Sequence, residues 1–290
     1  MTTSVLVPSS LCREAEDKRE ATRKLGYVAR AATIFRVDRL IVYPDRAGET
    51  GRFGDGFVDT VLRYAATPPY LRKEAWGKRD ELEAVGVLPP LRAPSQTGSE
   101  SNGSGSSKQG IVTEVGPEGR VRVNCGLQHP ISLNTPPGME VDEGERVTVR
   151  ISSRRPVRAK LVDESPPGFA VERTDLPAAL GREDAGVRIA ASRFGEPLTI
   201  GRLETLAGDI ERDGLTVAFG APERGLPDIL DIDEAAVEAA VDGEGDANVE
   251  PSDLETGFDL WLNTVPDQGS AVVRTEEALF ATMASLSLQA

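Results

Sequence analysis

The segment "FGAPERGLPD" (Phe219 to Asp228) carries two glycines, Gly220 and Gly225, with the four-residue spacing of a phosphate-binding loop. A nucleotide triphosphatase needs Lys and Ser or Thr after the second glycine, where this chain has Leu226 and Pro227. Nucleotide hydrolysis is therefore disfavoured. Two interpretations remain open: a small-ligand site at the carboxyl end of a strand in an open α/β sheet, and an ordinary tight turn.

A second candidate segment, "WLNTVPDQGSAVVRTEEALF" (Trp261 to Phe280), begins like a buried strand and ends like an amphipathic helix. About a dozen residues separate the two parts, although such connections usually need only about 2–6. The helix is predicted to bury a stripe formed by Leu279, Met283 and Leu286. Glu276 and Glu277 in its first turn would repel a phosphate. We therefore expect a neutral or cationic ligand, held through the backbone of the "NTVPDQGS" loop.

Other site chemistries are poorly supported by the composition. His129 is the only histidine, so neither a Ser-His-Asp relay nor a His-rich metal cluster can be assembled in the α/β part. Cys12 and Cys125 lie far apart and form no C-x-x-C motif, which disfavours a disulfide scaffold and a zinc ribbon. No compact acidic motif indicates magnesium, and we predict no metal site.

The elements that must position these loops are predicted on both sides of the middle of the chain. Short buried strands are expected at "TSVLV" (Thr3 to Val7), "RLIVY" (Arg39 to Tyr43), "VRIAAS" (Val187 to Ser192), "LTVAFG" (Leu215 to Gly220) and "FDLWLN" (Phe258 to Asn263). A helix is predicted between the first two strands, with the apolar residues of "KLGYVARAATIF" on one face. This order is typical of an α/β domain.

The middle of the chain differs in composition and in predicted secondary structure. "SQTGSESNGSGSSKQG" (residues 95–110) is predicted to be a flexible linker. Five short β-branched runs with turns between them follow, from Ile111 to Asp163, and favour a small OB-like barrel. We expect an α/β domain (1–94 and 166–290) that this barrel (111–165) interrupts. The acidic stretch 231–257 should start as a helix and end as a solvated loop without chemistry.

Acidic residues outnumber basic ones, and most of the basic residues are arginine. The 290 residues include 47 acidic and 33 basic ones, a net charge of −14, and only six of the basic residues are Lys. This composition resembles that of proteins from organisms with a salt-rich cytoplasm, so net charge says little about ligands. No window is apolar enough for a membrane span and no signal peptide is visible, so a cytoplasmic protein without a membrane partner is expected.

Local clusters of arginine are therefore more informative about ligands than the net charge of the chain. The predicted barrel carries Arg122, Arg154, Arg155 and Arg158, which could line an electrostatic groove for single-stranded or looped RNA. The alternative is a solvated barrel face. The barrel sequence lacks aromatic residues for stacking, which weakens the case for reading of specific bases.

At the carboxyl-terminal loop the chain resembles the SPOUT superfamily of knotted RNA methyltransferases. In ribose-methylating members a strand ends in a Pro-x-x-Gly loop that leads into the last helix, and Pro266 and Gly269 match this layout. The resemblance implies a trefoil knot and an S-adenosylmethionine pocket, with the long connection as its wall. The cofactor-binding residues that it implies are Gly220, Pro222, Gly225, Leu262, Asn263, Pro266, Gly269 and Thr275.

Other segments extend this resemblance over nearly the whole chain. "KLGYVARAATIFRVDRLIVY" resembles the Gly-x-x-x-Arg helix of the superfamily, which implies a catalytic role for Arg30; the alternative is a surface salt-bridge residue. "LRYAATPPYLRK" and "VGVLPPLRAP" are similar to signature stretches of the archaeal and eukaryotic group in which an OB-like barrel interrupts the SPOUT domain. The chain departs from this group at Ser95 and Gln96, where members tend to carry histidines whose role would be altered here.

The resemblance implies a homodimer that methylates rRNA or tRNA with S-adenosylmethionine. Arg30 would orient a phosphate or stabilise the nucleophile, and Arg23 and Lys24 are candidates for RNA phosphates. No side chain is an obvious general base, which favours a base nitrogen slightly over a ribose hydroxyl. The competing hypothesis is a non-catalytic RNA-binding or ribosome-assembly protein that keeps the fold, and binding of S-adenosylmethionine separates the two.

Overall fold

The computed structural model describes residues 1–51, 53, 56–93, 106–154, 156–242, 254 and 256–288. Ser95, Gln96, most of the predicted linker and most of the second half of the acidic stretch lie outside these residues. The chain forms two compact units. The α/β unit comprises residues 1–66, 80–91 and 169–290, and the barrel unit comprises residues 67–79 and 92–168. Among the described residues, no helix is both long enough and apolar enough to cross a membrane.

The elements follow one another in an order close to that predicted. They are β1 (Thr3–Pro8), α1 (Lys18–Ile34), β2 (Arg39–Tyr43), α2 (Phe57–Ala66), α3 (Pro69–Ala75), β3 (Ser106–Val115), β4 (Arg120–Asn124), β5 (Ile131–Asn134), β6 (Arg146–Arg154), β7 (Val157–Val162), β8 (Ala170–Arg173), α4 (Leu176–Leu180), β9 (Val187–Pro197), α5 (Ile200–Asp213), β10 (Leu215–Phe219), α6 (Leu226–Leu230), α7 (Glu234–Asp242), β11 (Leu260–Asn263) and α8 (Thr275–Leu286). Single 3-10 turns lie at residues 80–82, 85–87 and 117–119.

A parallel sheet in the order β11-β9-β10-β1-β2-β8 forms the core of the α/β unit. Its central strands are buried along almost their whole length, because helices cover both faces of such a sheet. The five strands predicted in this unit are confirmed. The short edge strand β8 was not predicted, since its half-exposed "AVER" has no apolar run.

The two helices on which the candidate motifs depend are also confirmed. α1 begins after Asp17, whose carboxylate accepts a hydrogen bond from the Glu20 amide at 2.7 Å and caps the helix. α8 buries Leu279, Met283 and Leu286, as its spacing predicts. The two helices pack against each other. The trefoil knot stays a prediction.

The barrel unit is an antiparallel sheet in the order β5-β4-β3-β6-β7. β5 approaches β7, so the sheet nearly closes around a core of valines, Leu133, Ile151 and Leu161. The five predicted strands are confirmed. Two boundaries differ from the expectation: β3 already begins at Ser106, inside the predicted linker, and residues 67–79 with α3 belong to this unit rather than to the α/β unit.

An irregularity in β9 shapes the carboxyl end of the α/β sheet. The consecutive β11 residues Trp261 and Leu262 pair with Ala190 and Glu196, so five residues of β9 bulge out between two paired stretches. Gly195 lies in this bulge, and a Cβ atom there would come within 2.5 Å of the Leu262 nitrogen. The close approach of the two backbones therefore requires glycine at this position.

We expect Gly195→Ala to lower the free energy of unfolding by about 1–3 kcal/mol, because the methyl group would force β9 away from β11. Urea denaturation measures the change. Gly208→Ala is the matched control, since Gly208 lies inside α5 and, apart from its chain neighbours and the backbone of the helix, no described atom lies within 4 Å of the added Cβ. That variant should be more stable than the wild type by about 0.5–1 kcal/mol. Equal stability of the two variants would contradict the close approach.

Candidate functional site

A cavity of about 380 Å³ lies at the carboxyl ends of β10 and β11, where open α/β sheets bind ligands. Its volume falls within the range of roughly 300–1,000 Å³ that is usual for small-molecule sites. Three segments and Glu234 of α7 line it; the segments are residues 191–194 of the β9 bulge, part of residues 219–228, and part of residues 262–278. A second cavity, near Ser10 and Phe57, has a volume of only about 30 Å³ and admits little more than a water molecule.

The β9 bulge forms one wall of this cavity. The Asn263 side-chain amide donates a hydrogen bond to the Arg193 carbonyl at 3.1 Å, which ties the end of β11 to the bulge. The Arg193 guanidinium lies 4.5 Å from the centroid of the Phe194 ring and 3.7 Å from a Glu234 carboxylate oxygen. The wall is therefore held by backbone and side-chain contacts before any ligand arrives.

The glycine-rich turn after β10 forms the second wall. Ala221 and Arg224 exchange backbone hydrogen bonds of 2.9 and 3.1 Å, and Glu223 between them adopts a φ of +56°. A Cβ atom on Gly220 would lie 2.8 Å from the Gly225 Cα, so the turn closes only with glycine there. This tight turn also lines a ligand-sized cavity, and both interpretations of the segment are thus compatible.

An ion pair between distant parts of the sequence fixes this turn. Arg224 donates from Nε and Nη2 to the Asp45 carboxylate at 3.0 to 3.2 Å, and the Ser10 hydroxyl donates to the same carboxylate at 2.5 Å. Burial raises the pKa of Asp45, but the hydrogen bonds from Arg224 and Ser10 outweigh it and the net shift is downward. Asp45 is therefore a buried anion that holds the Arg224 side chain.

The long connection before α8 forms the third wall. The Asn263 carboxamide oxygen accepts a hydrogen bond from the Val265 amide at 3.0 Å, which starts the turn. At its far end the Thr275 hydroxyl donates to the Gly220 carbonyl at 2.8 Å. The Arg274 amide donates to the Glu277 carboxylate at 2.9 Å and so closes the first turn of α8. These bonds join the connection to the glycine-rich turn.

The charges around the cavity suit a neutral or cationic ligand. Carboxylates are contributed by Glu223, Asp228 and Glu234, and the arginines are Arg193 and Arg224. Both arginines are already paired, the first with Glu234 and the second with Asp45. Among the described lining residues, no unpaired guanidinium or ammonium group remains to hold a phosphate. This geometry agrees with the expectation that the ligand is neutral or cationic.

Most of the predicted cofactor-binding residues lie together. The cavity is lined by Gly220, Pro222, Gly225, Leu262, Asn263 and Thr275. Pro266 and Gly269 are outside the lining, in the same connection, next to the lining residues Val265 and Gln268. The sequence interpretation missed Ser192, Arg193 and Phe194. The glycine in "SRFGEP" is the signal that could have indicated their bulge.

Arg30 lies on α1 and is not part of the cavity lining. Its Nη1 donates to the carbonyls of Pro90 at 3.3 Å and Leu91 at 2.5 Å. One turn earlier on the same helix, a Cβ atom on Gly26 would lie 2.5 Å from the Pro89 Cδ. The Gly-x-x-x-Arg spacing therefore holds the segment of residues 89–91 against α1. The partners of Arg30 given by the structure are carbonyls, which differs from the surface salt bridge considered as the alternative.

Lys24 occupies a different environment from the one expected of an RNA contact. Its side chain is buried, pairs with Glu14, and lies 3.8 Å from a Glu276 oxygen. An ammonium group in this position is not accessible to an RNA phosphate, so its placement does not support the predicted contact. Burial raises the pKa of Glu276, and the nearby Lys24 opposes this only in part.

We expect Glu276→Gln to stabilise the protein at pH 8 by about 1 kcal/mol. The pKa of Glu276 in the folded chain is above its ordinary value of 4.5. Between the ordinary pKa and the raised one, the folded state therefore binds more protons than the unfolded state. Wild-type stability falls as the pH rises through this interval. Glutamine does not ionise, and the advantage should vanish below about pH 4. Urea denaturation between pH 4 and 8 tests this, with the exposed neighbour Glu277→Gln as control; a pH-independent difference would contradict it.

The predicted RNA-binding arginines have various positions. Arg23 is exposed on α1, and Arg158 is exposed on β7. Arg122 projects outward from β4, 3.4 Å from a Glu114 carboxylate oxygen. The side chain of Arg154 and the whole of Arg155 lie outside the described part of the chain. Among the described residues, no group of three or more His, Cys, Asp and Glu residues could hold a metal ion.

Comparison with known proteins shows the family of the whole chain. The family model described as "Putative RNA methyltransferase" matches residues 2–286. An uncharacterized protein of Haloarcula marismortui is 69% identical over 289 residues, 99% of each chain. The 28S rRNA (uridine-N(3))-methyltransferase of Mus musculus is 29% identical over 320 residues, which cover 98% of this chain and 76% of the mouse protein. The human enzyme of the same name is 28% identical over 318 residues, 98% of this chain and 77% of that protein.

Proposed function

Because the chain belongs to the RNA methyltransferase family whose model spans residues 2–286, we propose that it methylates a base nitrogen of RNA with S-adenosylmethionine. We further propose that the target is N3 of a uridine in ribosomal RNA, since the mouse and human relatives are named for that reaction. The observation that carries the proposal is the cavity at the carboxyl ends of β10 and β11, whose paired arginines leave a neutral-to-acidic lining.

The residues of this cavity fit S-adenosylmethionine. When bound, this molecule supplies an electrophilic methyl group carried by a positively charged sulfonium. The carboxylates of Glu223 and Asp228, which have no arginine partner among the described residues, favour such a cation. The backbone of the glycine-rich turn and of the connection after Asn263 is available to hold its uncharged parts, as the SPOUT resemblance implies for Gly220, Pro222, Gly225, Leu262, Pro266, Gly269 and Thr275.

The protein's own contribution to the reaction is then mainly alignment. The cavity is formed before binding. Gly220 closes the turn, Asn263 holds the β9 bulge, and Thr275 joins α8 to the turn. Preformed geometry of this kind can supply a large part of the rate of a two-substrate reaction. Arg30 is proposed to orient an RNA phosphate, or to do so through the segment of residues 89–91 that it holds.

The test combines ligand binding with product analysis. The purified full chain is titrated calorimetrically with S-adenosylmethionine in molar potassium chloride, because the acidic composition resembles that of salt-adapted proteins. Labelled methyl transfer is then measured on ribosomal RNA from a strain that lacks the gene, with digestion to nucleosides. Binding together with 3-methyluridine supports the full proposal. Another methylated nucleoside would correct the target, and a folded chain that does not bind would favour the non-catalytic RNA-binding alternative.

We also propose that the active form is a homodimer, as the resemblance to the SPOUT superfamily implies. Exposed apolar residues on α1, Tyr27 and Ile34, are consistent with a further contact surface in the α/β unit. Light scattering in molar potassium chloride gives the mass directly. A mass of one chain at micromolar concentration, with full methyl transfer, would overturn this part of the proposal.

A further inference from the structure

The acidic excess of the chain lies entirely in one of its two units. The barrel unit contains 14 basic and 10 acidic residues, a net charge of +4, whereas the α/β unit contains 19 basic and 37 acidic residues, a net charge of −18. A net charge of −14 for the whole chain thus conceals a basic unit. Polyanions are attracted to local clusters of positive charge, so the barrel unit is the favoured partner of a phosphate backbone.

One basic part of this unit is the segment of residues 67–79, which we call the α3 segment. Its sequence "TPPYLRKEAWGKR" contains four basic residues and one acidic residue. Lys73, Lys78 and Arg79 are exposed. Within the described residues neither Lys73 nor Lys78 forms an ion pair, whereas many arginines of the α/β unit are bound to aspartates. These exposed cations can release counterions on binding a polyanion.

The α3 segment also brings to the barrel the aromatic residues that the barrel sequence itself lacks. Tyr70 is 49% exposed, yet its ring is fixed in place. Its hydroxyl donates to the Gln109 carbonyl at 3.0 Å, and a Cβ atom on Gly126 would lie 2.5 Å from its Cδ2. The Lys108 ammonium lies 5.5 Å from the ring centroid. A half-exposed, preoriented ring beside a cation suits a stacked base and its phosphate.

Trp76 provides a second aromatic group in the same segment. Its indole nitrogen donates to the Thr67 hydroxyl at 2.9 Å, which fixes the ring orientation. The Arg79 guanidinium lies 5.3 Å from the ring centroid. Trp76 thus repeats the combination seen at Tyr70: a fixed aromatic ring with an exposed cation next to it.

We propose that the α3 segment and Lys108 form a binding site for single-stranded RNA, in which bases stack on Tyr70 and Trp76 and phosphates contact the neighbouring cations. The site deepens the proposed function and rests on it for the identity of the nucleic acid. Stacking on aromatic rings is largely independent of sequence, because every base presents a π face. The site would therefore hold an unpaired RNA segment, and the choice of the target nucleotide would remain with the cavity.

The test measures RNA affinity and cofactor affinity on the same preparations of the full chain. The probe is a labelled oligouridine of roughly 10 nucleotides, a length within the range that small binding modules cover. Fluorescence anisotropy should show about 5- to 100-fold weaker binding for Tyr70→Ala and for Trp76→Ala. Tyr70→Phe keeps the ring and should bind within about threefold of the wild type. Val115→Ala is the control, since Val115 is equally exposed (50%) at the far end of β3.

Two further measurements decide between binding and a structural role. Replacing both Lys73 and Lys78 by Gln should reduce the slope of log affinity against log salt by about 1.4, because each single-strand phosphate contact contributes about 0.7. Thermal unfolding is recorded for every variant. If Tyr70→Ala unfolds the barrel unit, Trp76→Ala and the lysine variant carry the test.

The outcomes for the two proposals are distinguishable. Weakened RNA binding with normal S-adenosylmethionine binding supports the site. Weakened RNA binding by the variants of a chain that binds no S-adenosylmethionine leaves the RNA site standing and removes the methyltransferase proposal. Unchanged RNA affinity in folded Tyr70→Ala and Trp76→Ala overturns the site, as does equal affinity of the wild type for a double-stranded RNA of the same length.

Discussion

Replacement of Ala278 by Trp is expected to lower the affinity for S-adenosylmethionine by more than about 100-fold, which corresponds to about 2.7 kcal/mol. Ala278 is half-buried on α8 and lines the cavity. The helix cannot turn to relieve the crowding, because Leu279 and Met283 anchor its opposite side in the core. The indole must therefore extend into the space that the ligand needs. Calorimetric titration of the variant measures the loss.

Ala284→Trp is the matched control for this experiment. Ala284 is on the same helix, is exposed, and does not line the cavity. Ala284→Trp introduces the same side chain at another position of the same helix, so helix propensity and expression are matched. We expect cofactor affinity within about threefold of the wild type. Normal binding by folded Ala278→Trp, or equal loss in both variants, would place the cofactor elsewhere.

The sequence predicts the parts of this site that depend on local patterns. The buried stripe of α8 follows from helical spacing, and the strands β10 and β11 follow from apolar runs with turns after them. Glycine spacing also predicted the tight turn after β10. These features depend on residues a few positions apart, for which period and turn chemistry are sufficient.

The parts that were missed depend on pairing between distant residues. The residues around Arg193 read as the continuation of a strand, and their bulge arises only from the register that β9 adopts with β11. The α3 segment was assigned to the α/β domain because it precedes the linker, whereas the contact of Tyr70 with Gln109 joins it to the barrel. Gly195 is the only local signal of the bulge, and local sequence gives neither the register of β9 nor the contact of Tyr70.

The pair of Asp45 and Arg224 is the most distant of these contacts, since 179 positions separate its members. We expect Asp45→Asn to lower the free energy of unfolding by about 2–4 kcal/mol at pH 7, because it leaves a guanidinium without its buried counter-ion. Asp184→Asn is the matched control: Asp184 also accepts two hydrogen bonds from one arginine, Arg39, but its side chain is 43% exposed. Water screens such a pair, and the control should cost less than about 1 kcal/mol.

The pH dependence separates the lost ion pair from a packing defect. The pKa of Asp45 is below its ordinary value of 3.8, so the pair's stabilisation is complete above that value and is lost as the pH falls towards the folded pKa. The difference between wild type and Asp45→Asn should therefore shrink in acid, while a packing defect would persist. Because the backbone of Arg224 closes the turn against Ala221, Asp45→Asn should also weaken S-adenosylmethionine binding. Unchanged affinity in the folded variant would limit the pair to stability alone.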